Sequence, residues 1–169
     1  MRFHAEHQFA GSPEAVIAVL LDPEFHRELA LPDLSQPEVV EAVTDGTAGV
    51  LRLRYEYVGQ LDPIARRLLG DRQLTWLQDL HLDRERGTGR LTFAAEAAPD
   101  RLNGAATVTI EARDGAETDT EDAAVRRLDG ELRVAIRPLG GMFERRILPG
   151  LLRRLDIEAG AVDERLRAD

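Results

Sequence analysis

The sequence predicts an α+β domain in which a curved antiparallel sheet wraps around one long C-terminal helix. Three observations carry that prediction. Segments of alternating apolar and polar residues follow one another with turn residues between them, as strands joined by hairpins do. Helical segments are grouped instead of alternating with strands, which argues against a doubly wound sheet. The last quarter of the chain then changes period. Leu132, Val134 and Ile136 alternate with Arg133, Ala135 and Arg137, whereas from Phe143 the apolar residues (Ile147, Leu151, Leu155, Ala159, Val162 and Leu166) recur at helical spacing. A helix that follows a run of strands must lie across the sheet they form, and a sheet curved around it leaves space for a cavity.

Each element has its own local reason. Phe3, Ala5, His7 and Phe9 share one face of an opening strand over Arg2–Phe9, with Arg2, His4, Glu6 and Gln8 on the other. Gly11 breaks it. Ser12 then serves as an N-cap with Pro13 at the first helical position, and Asp22-Pro23 starts a second short helix in the same way. Strands are expected over Glu38–Thr44, Val50–Val58, Leu74–Leu82, Arg90–Ala97, Ala106–Ala112 and Leu132–Arg137, with turn signals at Asp45-Gly46, Gly87, Asn103-Gly104 and Asp114-Gly115. Asp62–Gly70 reads as a short helix between two strands. Glu117–Asp122 reads as a solvated acidic loop that lacks the spacing of a calcium-binding EF-hand. Pro138 and Gly140-Gly141 end the last strand, and Pro149 should kink or split the helix beyond.

At 169 residues the chain is expected to form one domain over 1–169. It has no cysteine, which removes disulfides, thiolate metal sites and cysteine nucleophiles. All 22 basic residues are arginine, so a Schiff-base or P-loop lysine is excluded. The net charge of −9 argues against nucleic acid or an anionic membrane as a partner. No apolar run spans a bilayer and Met1-Arg2-Phe3-His4 opens no signal-peptide core, so a cytoplasmic location is expected.

Phe3–Phe9, Ser12–Val16, Asp22–Phe25 and the Leu132–Arg137 strand with Pro138–Gly141 and its helix together resemble the START-like (SRPBCC, helix-grip) superfamily, in particular a bacterial branch of unknown function. The resemblance covers nearly the whole chain, and its motifs are architectural. It implies the helix-grip fold, with the sheet holding the C-terminal helix over an apolar cavity. The superfamily includes lipid carriers, hormone receptors, aromatase/cyclases and hydrolases, so fold transfers more readily than activity.

The residues themselves offer little catalytic chemistry. There is no GxSxG, and the two serines, Ser12 and Ser35, sit at cap and turn positions. His4 and His7 point to opposite faces of a strand, so no histidine metal site and no cofactor is expected. The candidate ligand-binding residues are Tyr55, Tyr57, Trp76, Gln78, Phe93 and His7. The first five lie on one face of three consecutive strands, where large amphipathic side chains line a pocket or simply fill the space under the helix. A buried Gln78 needs a partner. His7 is a polar anchor, an acid/base in an apolar pocket, or a core histidine with one backbone bond. Arg66-Arg67, Arg126-Arg127, Arg145-Arg146 and Arg153-Arg154 are expected on solvated, salt-bridged faces. With the helix stripe carrying no chemistry, function is expected from the sheet.

The expected function is therefore binding of a hydrophobic small molecule (lipid, polyketide or isoprenoid) between sheet and helix, with Ile64–Leu69 and the Pro149 kink as gates. The alternatives are a cyclase/aromatase- or hydrolase-like enzyme using the same cavity, which lacks a second catalytic group, and a cavity-free interaction domain, for which a homodimer is one form.

Overall fold

Seven antiparallel strands form one sheet in the order β1-β7-β6-β5-β4-β3-β2. A computed structural model describes residues 1–61, 63–64, 66, 72–113 and 123–168. The expected helix over Asp62–Gly70 falls mostly, and the acidic loop Glu117–Asp122 entirely, outside the described residues. In chain order the elements are β1 (Arg2–Phe9), α1 (Pro13–Leu21), α2 (Pro23–Glu28), β2 (Glu38–Asp45), β3 (Ala48–Glu56), β4 (Thr75–Asp83), β5 (Thr88–Ala95), β6 (Leu102–Ala112), β7 (Ala124–Val134) and α3 (Gly140–Ala168). Strands β2 to β7 form a meander, while β1 pairs with β7 from the far end of the chain, Phe3 opposite Gly130 and His7 opposite Arg126.

The caps form as the sequence implies. The Ser12 hydroxyl accepts from the Ala15 amide at 3.2 Å, and the Asp22 carboxylate accepts from the Glu24 amide at 2.9 Å. Both satisfy amides that the first helical turn leaves without a partner. The core lies between the inner sheet face and the helices, built around Phe9, Val16, Ile17, Leu20, Leu51, Leu53, Leu128, Leu155 and Val162. The outer face is laced with ion pairs such as Arg52–Asp79 at 2.6 Å and Arg127–Glu6 at 2.8 Å.

Three expectations about element boundaries are corrected. The Asn103-Gly104 turn signal lies inside β6, because Gly104 faces Phe93 across the ladder and a Cβ there would sit 2.2 Å from the Phe93 ring. The last strand starts at Ala124 and ends at Val134, not over Leu132–Arg137. Its Gly130 is an interior residue whose missing side chain leaves room for Phe3, 2.6 Å from where a Cβ would lie. Gly140-Gly141 opens α3, and the backbone passes so close that a Cβ on Gly140 would lie 2.2 Å from the Val134 carbonyl oxygen. The helix continues through Pro149 without being split.

Candidate functional site

The inner face of the sheet is mostly apolar, and its Gln78, Arg126 and His7 meet three charged side chains from α3, Arg154, Glu158 and Asp156. The expected helix stripe is only partly apolar. Phe143, Leu155, Ala159 and Val162 are buried, Ile147 is 36% exposed, and Arg154 and Glu158 are buried among the apolar residues at 9% and 5% exposure. Arg154 lies three residues after Leu151 and four before Glu158, so helical geometry brings both to the face that Leu155 presents to the sheet.

The buried polar groups form two arms. In the first, Arg126 Nη1 donates to Glu158 Oε1 at 2.7 Å, and Nη2 points at His7 Nδ1 at 3.3 Å and the Leu155 carbonyl at 3.4 Å. The His7 Nε2 lies 3.1 Å from the solvent-exposed Asp156 carboxylate. These contacts fix the neutral tautomer of His7: Nδ1 accepts from the guanidinium and Nε2–H donates to Asp156. Burial, and then the Arg126 charge, push the His7 pKa below its ordinary value, outweighing the opposite pull of Asp156.

In the second arm, Arg154 Nη2 donates to Gln78 Oε1 at 2.5 Å, and its guanidinium lies 4.4 Å from the centre of the Tyr55 ring. Tyr55 in turn stacks on Trp76, centroids 5.7 Å apart. Among the described residues no carboxylate lies within ion-pair distance of Arg154. Arg154 Nε, Arg126 Nε and His26 Nδ1 have no hydrogen-bond partner within the protein, and the Tyr55 hydroxyl has only the nearby Arg154 guanidinium. Each such group costs about 1–3 kcal/mol when buried. Burial raises the Tyr55 pKa and keeps the phenol protonated.

Glu158 joins the arms. Desolvation is the largest single influence on its carboxyl and pushes the pKa up, but Arg126, His26 and Arg154 together pull it below the ordinary value. His26 is buried, with Nε2 2.9 Å from the Leu20 carbonyl oxygen, and burial lowers its pKa.

The structure therefore brings Tyr55, Trp76 and Gln78 together around Arg154 and places His7 in the other arm. Phe93 faces Gln78 in the ladder. Tyr57 lies at the rim, its hydroxyl donating to the Gln60 carbonyl at 3.3 Å. Arg126 and Arg154 are not on solvated faces, and α3 does carry chemistry. Residue type alone points Arg126, Arg154 and Glu158 toward solvent and gives His26 no role. The signal that finds them is phase: Arg126 shares strand parity with Leu128 and Leu132, and Arg154 and Glu158 share helical phase with Leu151 and Leu155.

The backbone of α3 runs close to β1, β7 and α1 and stands further from β3, β4 and β5. Long side chains span the intervening space, with Trp76, Leu148, Leu151 and Leu152 partly buried around it. Open clefts on the outer face include a groove of about 750 Å³ beside His4, Arg90, Thr107 and Asp129. Among the described residues no group of three or more His, Asp or Glu converges to hold a metal ion. No helix among them is long and apolar enough to cross a membrane.

Comparison with solved structures places this architecture. Protein TTHA0849 from Thermus thermophilus is similar over 99% of this chain and 98% of its own, with a TM-score of 0.64 at 18% identity. Norcoclaurine synthase from Thalictrum flavum, in complex with a transition-state analogue, is similar over 99% and 94%, with a TM-score of 0.62 at 16% identity. The Zhui aromatase/cyclase from Streptomyces sp. R1128 is similar over 99% and 98%, with a TM-score of 0.53 at 19% identity. At these identities the likeness establishes the fold, which is the START-like helix-grip fold. No curated protein matches the sequence. Residues 4–166, from β1 through nearly all of α3, match one family's sequence profile, and the chain belongs to that family, described as "Protein of unknown function (DUF2505)".

Proposed function

We propose that this protein binds a hydrophobic small molecule of the lipid, polyketide or isoprenoid kind between α3 and strands β3 to β5. The observation that carries the proposal is the interior spanned by Tyr55, Trp76, Gln78 and Arg154, where α3 stands off the sheet and buried polar atoms lack partners. Buried polar groups call for a compensating partner, and a bound ligand would supply one. Trp76, Phe93 and Tyr57 are half-buried and lead from the rim toward the buried Tyr55 and Gln78. Binding requires α3 to move locally away from β3–β5, and Pro149, which lacks the amide its helical turn would use, lies just before Leu151 and Arg154. The same fold is found in an aromatase/cyclase and in a norcoclaurine synthase that holds a transition-state analogue. A cytoplasmic location belongs to the same proposal.

Native mass spectrometry of freshly purified protein tests this directly. The expected spectrum has a bound mass that is lost on denaturation, and it reports monomer or dimer in the same measurement. A bare chain that also fails to take up an apolar fluorescent probe would overturn the proposal.

A cyclase- or hydrolase-like reading has one observation in its favour, the His7–Asp156 pair. The Arg126 contact stands against it, because it occupies the lone pair a general base would use. The two readings separate on the mass of the bound molecule: an enzyme changes it during incubation and His7→Gln prevents the change, whereas a binding protein returns it unaltered.

A further inference from the structure

The charges enclosed beneath α3 do not balance. Arg126 is paired with Glu158 at 2.7 Å, while Arg154 contacts the neutral Gln78 amide and the face of Tyr55 and feels that same carboxylate only at longer range. His7 and His26, the other titratable bases beside this cluster, are held neutral by burial. One positive charge is left over. An arginine this deeply buried that shares one carboxylate with a second arginine is disfavoured unless something supplies the missing charge. Of the polar atoms here without a geometric hydrogen-bond partner, Arg154 Nε and Arg126 Nε can only donate and the protonated Tyr55 hydroxyl can donate, while His26 Nδ1, whose ring serves the Leu20 carbonyl through Nε2, is an acceptor. Three donors and an excess cation describe a receptor for an oxyanion, and the partly buried Trp76, Leu148, Leu151 and Leu152 pack against the same core.

We infer that the ligand is an amphipathic acid, whose carboxylate seats against Arg154 and the Tyr55 hydroxyl while its apolar body lies along Trp76 and the leucines of α3. The inference rests on the binding reading above and narrows it to molecules with one anionic head. A neutral isoprenoid or sterol would leave the Arg154 charge uncompensated, so it is disfavoured.

The test uses phenylnaphthylamine, a neutral fluorescent probe, displaced from the intact protein at pH about 7.5 by either decanoate or decanol, which differ only in the head group. Decanoate is expected to displace it at a concentration about tenfold lower than decanol or better, the advantage of a charge-assisted over a neutral hydrogen bond. Arg154→Met should erase that preference, the two competitors being compared within the one variant so that any change in its affinity for the probe cancels. Arg153→Met, which removes the exposed neighbouring arginine, should leave the preference unchanged. Failure of the probe to bind overturns the binding reading and this inference with it. Probe binding with decanol as effective as decanoate in the wild-type chain overturns the inference alone. So does a preference that survives Arg154→Met, since the head group would then lie elsewhere.

Discussion

Arg126 and Glu158 show how one residue pair can fix the interior. Both are nearly inaccessible and bonded at 2.7 Å, so removing either leaves an uncompensated charge in the core. Arg126→Ala or Glu158→Ala is expected to destabilise the fold by about 3–5 kcal/mol, and an apolar replacement of both, Arg126→Met with Glu158→Leu, should recover most of it. Urea denaturation followed through the single tryptophan, Trp76, measures this. If the single and double variants lose equal stability, the loss does not come from an uncompensated charge. The histidines set a pH dependence at the same scale. Burial depresses the pKa of His7 and His26 below 6.5, so on acidification the unfolded chain takes up protons before the folded one does. Their stabilisation is complete above the unfolded value and is lost as pH falls from there toward the folded values. The melting temperature should therefore drop between pH about 7.5 and 5.5. The double variant His7→Gln, His26→Gln should flatten that drop, and an unchanged slope would exclude these histidines as its source. Glu158, with its pKa lowered, acts in a separate window: its contribution is present above the ordinary carboxylate range and is lost only below it.

At the scale of elements, the glycines of α3 differ from those of the sheet. Gly150 and Gly160 sit within the helix, and a Cβ added at either would have nothing within 4 Å. Gly150→Ala and Gly160→Ala should each stabilise the protein by about 0.5–1 kcal/mol, since alanine costs less backbone entropy in a helix. Gly104→Ala should destabilise it, because the Phe93 ring occupies the space the methyl would need. Thermal melts of the three variants test both signs together, and equal shifts would show that local packing does not distinguish them. The same contrast explains which elements were legible in the sequence. Ser12-Pro13 and Asp22-Pro23 act through contacts within one turn, so α1 and α2 were readable with their caps. Gly104 and Gly130 make sense only beside Phe93 and Phe3 on other strands, so β6 and β7 were cut short.

For the whole molecule, β2 is exposed and α3 lies nearer to β1 and β7 than to β3–β5, so the proposed ligand site falls between α3 and β3–β5. A ligand bound there stabilises only the folded chain, by about 2.7 kcal/mol at a hundredfold excess over its dissociation constant. Stripping it by partial unfolding and refolding should lower the melting temperature, and adding decanoate back should raise it in a concentration-dependent way. A melting temperature indifferent to both treatments would count against an interior ligand.

The fold class follows from the amino-acid order alone, because alternation, helical period and local caps are properties of neighbouring residues. So does the placing of Tyr55, Trp76, Gln78 and His7 on the inner face, since strand parity is local. What those residues meet is settled by packing. Arg126 and Arg154 read as solvated members of arginine pairs until β7 and α3 are set against each other. Whether a charge is buried depends on which distant elements cover it, and that information lies in contacts between segments far apart in the chain.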